Sequence, residues 1–233
     1  MDINAAIEKE LYDCKGYDIN VRLVALTNSL LIYQGNVNQI ISWYKKLNDP
    51  QAALIIWNPD NYELLEKTNL EMQRLFTNFL SSAFSLRDHL YVLKREYYIG
   101  TVVETKMDEC IAKYFKDNNL TAFIQDFRNF VIHCGYPKTS KSLSFNSSAI
   151  SNDIFFDAAQ LNKFKNWTQG SKKFLDTMDT RVKLIDLVVD YDKIINNYYS
   201  AIFDILKDYN HAELEELKAI KDKYKLKLHM VRI

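Results

Sequence analysis

Only five glycines and three prolines are spread through 233 residues, and that scarcity constrains the fold more than any other feature. Glycine supplies the left-handed backbone positions of tight turns, and proline interrupts helices and sheet ladders. A chain with so few of either has little means of turning often, so long helical segments are expected. The punctuation falls at Gly16, Gly35, Pro50, Pro59, Gly100, Gly135, Pro137 and Gly170. Each of these is read as the start or end of a helix. No internal repeat, low-complexity tract or flexible linker divides the chain. The expectation is one all-α domain over residues 1–233, built as a helical bundle.

Between these marks the apolar spacing is mostly helical. Two or three helices fill the first third, carried by Val21, Leu23, Val24, Leu30 and Leu31, then by Ile40, Ile41 and Tyr44. Asn58 and Pro59 have the form of an N-cap followed by proline in the first helical position. Nothing interrupts the helix from there to Ile99. At ~1.5 Å rise per residue it would be about 60 Å long, so a kink or break is expected within it. Shorter helices are predicted over 101–116 and 120–134. Residues 139–157 then change texture. They are serine-rich, Leu143 and Phe145 alternate with Ser142 and Ser144, and Ile154, Phe155 and Phe156 supply a partner strand. A small inserted β-hairpin follows from that pattern. A helix over 167–178 comes next, then a long one striped by Leu184, Val188, Tyr191, Ile195, Tyr198, Ile202 and Ile205. The basic segment 221–233 reads as a solvated helix end or edge strand more readily than as a nucleic-acid or partner-binding tail.

Composition excludes several functions. Thirty basic residues balance thirty acidic ones, so no global field draws the protein to nucleic acid or an acidic membrane, although a local basic patch stays open. No window approaches the roughly 20 apolar residues of a membrane span, and no membrane partner is expected. Cys14, Cys110 and Cys134 are odd in number and widely separated, which fits neither a disulfide framework nor a zinc site. With no basic start and apolar run at the N-terminus, a cytoplasmic location is expected, and the three glycosylation sequons carry little meaning there. Five glycines leave no phosphate-binding loop, and no HExxH or clustered ligand set appears. Neither a metal nor a cofactor is expected. The 15 tyrosines and 13 phenylalanines sit at helical spacing and suit core packing better than base stacking.

One stretch concentrates chemistry, Phe123 to Pro137. On a helical wheel of about 100° per residue, Leu120, Phe123, Ile124, Phe127, Phe130, Val131 and Cys134 share a core-facing arc of roughly 120°. Gln125, Asp126, Arg128, Asn129 and His133 occupy the opposite side. Asn129 and His133 lie one turn apart with Arg128 beside them, and Gly135 and Pro137 stop the helix. His133 then sits in the last turn, where unpaired carbonyls attract a cation. An arginine and a titratable histidine on one face suit a phosphodiester: the guanidinium holds the phosphate and the imidazole moves protons. Ile132 is an apolar residue on this polar side, so the face is expected to be covered, by the hairpin or by another subunit. A Cys134–His133 nucleophilic pair is disfavoured, because neighbours in a helix diverge and Cys134 falls in the core arc. The plain alternative is a polar helix face that simply meets water.

The run Arg128-Asn129-Phe130-Val131-Ile132-His133 resembles the R-(polar)-x-x-x-H signature of the HEPN superfamily. Its setting is similar too: a long preceding helix with Phe79 to His89, then Gly135-Tyr136-Pro137, a β-like insertion and long helices with a tyrosine-rich stripe. The likeness covers roughly residues 60–210, with helices 1–57 packed on that core. It implies an all-α, HEPN-like helical bundle with a β-hairpin insertion at 139–157 after the motif helix. It further implies a homodimer with the two motifs facing each other. Active members are metal-independent ribonucleases, so the resemblance makes His133 the general acid/base, Arg128 the phosphate ligand and Asn129 the orienting residue. RNA would be the substrate and an antitoxin or other protein the partner, as in toxin and phage-defence systems.

Other members are non-catalytic nucleotide-binding or protein-interaction modules, and that reading stays beside the first, as does a helical interaction domain with a merely exposed polar face. Asp88 is a candidate support for Arg128 from the upstream helix; otherwise Arg87, Asp88 and His89 form a solvated cluster. His89, away from a helix end, ranks behind His133.

Overall fold

The computed structural model describes residues 3–145 and 150–226. The chain is mostly helical, with ten α-helices among the described residues and a small three-stranded sheet. In order these are α1 (Ile3–Asp13), α2 (Lys15–Leu47), α3 (Pro50–Ile56), α4 (Tyr62–Tyr97), α5 (Val102–Phe115), α6 (Asn119–Cys134), β1 (Thr139–Phe145), β2 (Ile150–Asp157), α7 (Ala158–Leu161), α8 (Gln169–Asp176), β3 (Arg181–Lys183), α9 (Leu184–Tyr209) and α10 (His211–Tyr224). No described helix is long and apolar enough to cross a membrane.

The expected start signals are used. Asp49 caps α3 by accepting from the Gln51 and Ala52 amides, with Pro50 in the first turn. Asn58 caps a 3-10 turn, Pro59–Asn61, that leads into α4. Gly16 and Gly170 stand in the first turns of α2 and α8, so they mark helix starts as read, whereas Gly35 lies mid-helix and marks neither end. No break occurs in α4, a continuous 36-residue helix, because its sequence contains no proline or glycine to interrupt the hydrogen-bond ladder. Its residues to Phe84 belong to one compact unit and the rest to another, so no single small domain has to contain its length.

The first unit comprises residues 1–32, 85–111 and 197–233. Cys14, Leu217 and Ile220 form a buried cluster flanked by Leu11, Tyr17 and Tyr224. Gly16 is required there: a Cβ would stand 1.9 Å from the Glu213 carbonyl oxygen, so only glycine lets α2 approach α10 so closely. Buried Asn210 donates from Nδ2 to the Tyr98 hydroxyl at 3.1 Å and to the Leu206 carbonyl at 2.6 Å, and Tyr199 donates to the Leu86 carbonyl at 2.6 Å. At the end of α10, Lys223 and Tyr224 both bond to Glu10. This accords with a solvated helix end for the start of the basic segment; its remainder, 227–233, lies outside the described residues. Among the apolar residues read for α2, Leu23 is buried, whereas Val21 and Leu31 are more than half solvent-exposed or nearly so.

The second unit comprises residues 33–84 and 112–196, and its core is aromatic. Phe76, Phe79, Phe123, Phe127 and Phe156 are fully buried. Phe127 meets Phe76 edge-on at 5.7 Å between centroids, Phe156 at 5.0 Å and Trp167 at 6.5 Å. The Trp167 indole is satisfied by the Leu161 carbonyl at 2.7 Å. Such ring pairs contribute beyond the area they bury, about 0.5–1.5 kcal/mol each.

The hairpin forms as expected, Thr139 opposite Phe156 and Phe145 opposite Ile150. What the sequence reading lacked is β3, which extends it antiparallel with Phe156 opposite Val182. Asp153 ties the sheet down: it accepts from Tyr44 of α2 at 2.8 Å and pairs with Lys183 at 2.9 Å. Beside it on β1, the Lys141 ammonium is shielded and without a hydrogen-bond partner. Desolvation pushes it down to about 8, partly offset by the Glu66 charge.

Candidate functional site

Helix α6 presents the candidate residues, and its buried face determines how. Asn118 caps it, accepting from the Thr121 amide. Phe123, Ile124 and Phe127 are buried, while Leu120, Phe130 and Val131 are half-buried. Phe130 still packs edge-on against Phe164 at 4.9 Å. These contacts settle the rotation of α6 about its axis, and everything on the opposite side must then face outward. At its end Gly135 takes φ +85°, and its amide bonds back to the Val131 carbonyl. The chain then reverses so that Tyr136 packs against Phe76 and Phe156.

Asp126, read as part of the polar side, has a structural task. Its Oδ2 accepts from the Thr168 amide at 2.7 Å and from the Ser171 hydroxyl at 2.6 Å, so α6 holds the N-terminus of α8. Gly170 makes that approach feasible, since a Cβ there would lie 2.7 Å from the Ala122 Cβ.

The remaining polar residues stay available. Arg128 is half-buried, its guanidinium 5.1 Å from the centroid of the Phe84 ring. Its Nη1 donates to Asn129 Oδ1 at 3.3 Å. Stacking on one face and a hydrogen bond at one edge hold the fork and leave its other donors for an anion. His133 is exposed in the last turn, one turn beyond Asn129. Ile132 is 55% exposed, so the hairpin does not cover it. Asp88 belongs to the first unit and accepts from its neighbour Arg87, at 3.1 Å from Nε and 2.9 Å from Nη2. Arg128 itself is braced by Phe84 and Asn129.

One placement is corrected. Cys134 is exposed and free, outside the core arc, because the buried rows of α6 end at Phe127 and the last turn rises clear of the aromatic cluster. Its divergence from His133 now rests on the helix geometry alone. No group of histidine, cysteine, aspartate or glutamate that could hold a metal ion occurs among the described residues.

Phe84 was legible only as one apolar residue of a helix; its place under a guanidinium was not. No protein-family model, curated protein or solved structure matched the chain.

Proposed function

We propose that this chain is a HEPN-type ribonuclease that cuts RNA without a metal ion, working as a homodimer through the outer face of α6. The observation that supports it most is the bracing of Arg128. A guanidinium lying over Phe84 and hydrogen-bonded to Asn129 is a preorganised phosphate ligand, and exposed His133 follows one turn on from Asn129. Preorganised donors cost no rearrangement when charge builds up in the transition state.

In the proposed reaction an RNA 2′-hydroxyl attacks the adjacent phosphorus. The 2′-oxygen to phosphorus bond forms, the phosphorus to 5′-oxygen bond breaks, and a cyclic phosphate and a 5′-hydroxyl result. Arg128 neutralises the phosphoryl oxygens. His133 of one copy takes the proton from the nucleophile and the second copy's histidine gives one to the leaving oxygen. Exposed Ile132 lies on the same helix end and would be buried between copies. As an effector of this type, the protein would serve in a toxin or phage-defence system held in check by a protein partner.

The test is incubation of purified protein with a pool of transfer and messenger RNA in EDTA, beside Arg128→Ala and His133→Ala. Cleavage with cyclic phosphate ends, lost in both variants, supports the reading. An inactive wild type, or three equally active proteins, would turn the assignment to a nucleotide-binding or protein-interaction module.

A further inference from the structure

A second arginine stacked on an aromatic ring lies in the first unit, half-buried, and one of its donors lacks an acceptor. Arg22 of α2 lies 3.9 Å above the Tyr97 ring of α4. Its Nε is shielded from solvent with no hydrogen-bond partner, and no carboxylate pairs with it among the described residues. A shielded N–H without an acceptor is costly, so the arrangement is short of one acceptor, which an anion would supply.

Around it is a place for that anion's owner. Arg22, Leu26 and Ser29 on α2, and Tyr97, Leu93 and His89 on α4, line a groove of about 240 Å³. Leu26 and Leu93 are buried at its floor, while Val92 and Tyr97 are exposed at 45% and 52% on its rim. The far end is polar: Ser29 Oγ lies 2.8 Å from His89 Nδ1 and 3.1 Å from the Ala25 carbonyl oxygen. Both contacts are satisfied at once when His89 donates from Nδ1 and the Ser29 hydroxyl donates to Ala25. Arg22 and Ser29 are seven residues apart on one helix face, so the two polar ends stand about 10 Å apart.

We propose that this groove binds a small elongated carboxylate with an apolar body. The head group pairs with Arg22, the body lies over Leu26 and Leu93, and the tail reaches the Ser29–His89 end. Carboxylate fits better than a phosphate dianion because, among the described residues, Arg22 is the one lysine or arginine lining the groove, and a planar carboxylate matches a single guanidinium fork. The volume is below that of drug-sized sites, which calls for a small ligand. The proposal does not rest on the ribonuclease reading; it concerns a separate set of residues.

Titration calorimetry of the full chain with decanoate, with decanol as the uncharged control, tests it. Decanoate is expected to bind at least about tenfold more tightly than decanol, and Arg22→Met to erase that difference. Val92→Trp, at an exposed helix position that does not depend on core packing, is expected to obstruct the groove and abolish decanoate binding. This second variant keeps the test decisive should Arg22→Met fail to fold. No heat with decanoate, equal affinity for decanol, or full decanoate affinity in Val92→Trp would each overturn the proposal.

Discussion

Arg128 and Arg22 are built alike and finished differently. Each lies over an aromatic ring, Phe84 at 5.1 Å and Tyr97 at 3.9 Å. Arg128 is braced by Asn129 on an outward helix face with an exposed histidine one turn on. Arg22 is held in a groove with a shielded Nε and no brace. A braced arginine on an open face suits a large, extended polyanion that brings its own solvent boundary. An unbraced one in a groove suits a small ligand that supplies the missing partner itself. The aromatic platform is common to both; the edge of the guanidinium decides what each can hold.

The largest expected effect separates the two. His133→Ala should lower RNA cleavage by about 100-fold or more, measured by single-turnover cleavage in EDTA, and leave decanoate binding unchanged. Arg22→Met should do the reverse. If one substitution removes both activities, the two arginines do not serve separate sites and the comparison fails.

Asp126→Ala sharpens it from the scaffold side. Removing the carboxylate deprives the buried Ser171 hydroxyl of its 2.6 Å acceptor and leaves it only the Thr168 hydroxyl at 3.1 Å, at a cost of about 1 kcal/mol, seen as a lower urea midpoint. Because Asp126 fixes α8 against α6, cleavage should fall with it while the Arg22 groove keeps its ligand.

Lys141 asks whether a shielded cation without a hydrogen-bond partner is costly in this protein. Its folded value, near 8, lies below the ordinary lysine value of 10.5. Between these the unfolded chain binds more protons than the native one, so stability should rise with pH from about 8 to 10.5. Below that window the penalty is fully present. Lys141→Met should therefore raise the thermal midpoint at neutral pH and flatten the rise between pH 8 and 10.5. An unchanged midpoint would show that the ammonium reaches water.

The smallest effect is a control. Gly35 is exposed in the interior of α2 with nothing within 4 Å of a would-be Cβ. Gly35→Ala should stabilise by about 0.5–1 kcal/mol, read from denaturant unfolding, and change neither cleavage nor ligand binding.

Much of the architecture is legible in the sequence. The stripe through Leu184, Val188, Tyr191, Ile195, Tyr198 and Ile202 is buried along α9, with Ile205 half-buried at its end, and the hairpin and the ends of α5 and α6 fall close to their expected places. Local rules suffice there because periodicity, caps and turn residues act within a few residues. Gly16 and Gly170 begin their helices as expected, but the close approach each permits to a neighbouring helix is not legible in the sequence, and Gly35 lies mid-helix against the expectation. The three residues of β3 carried too short a pattern to register; their strand exists because β2 offers an edge.

For the candidate site, the sequence by itself determined that Arg128, Asn129 and His133 share the outward side of one helix, because an α-helix repeats every 3.6 residues. It also determined that Phe123 and Phe127 face inward. Tertiary structure alone decided that Phe84 lies beneath Arg128, that Asp126 is spent on α8, that Cys134 is exposed, and that Arg22, Ser29 and His89 line one groove. Those pairings join residues 42 to 75 positions apart, and no local periodicity encodes which distant side chain will arrive. The packing of buried rings and close helix approaches settles it.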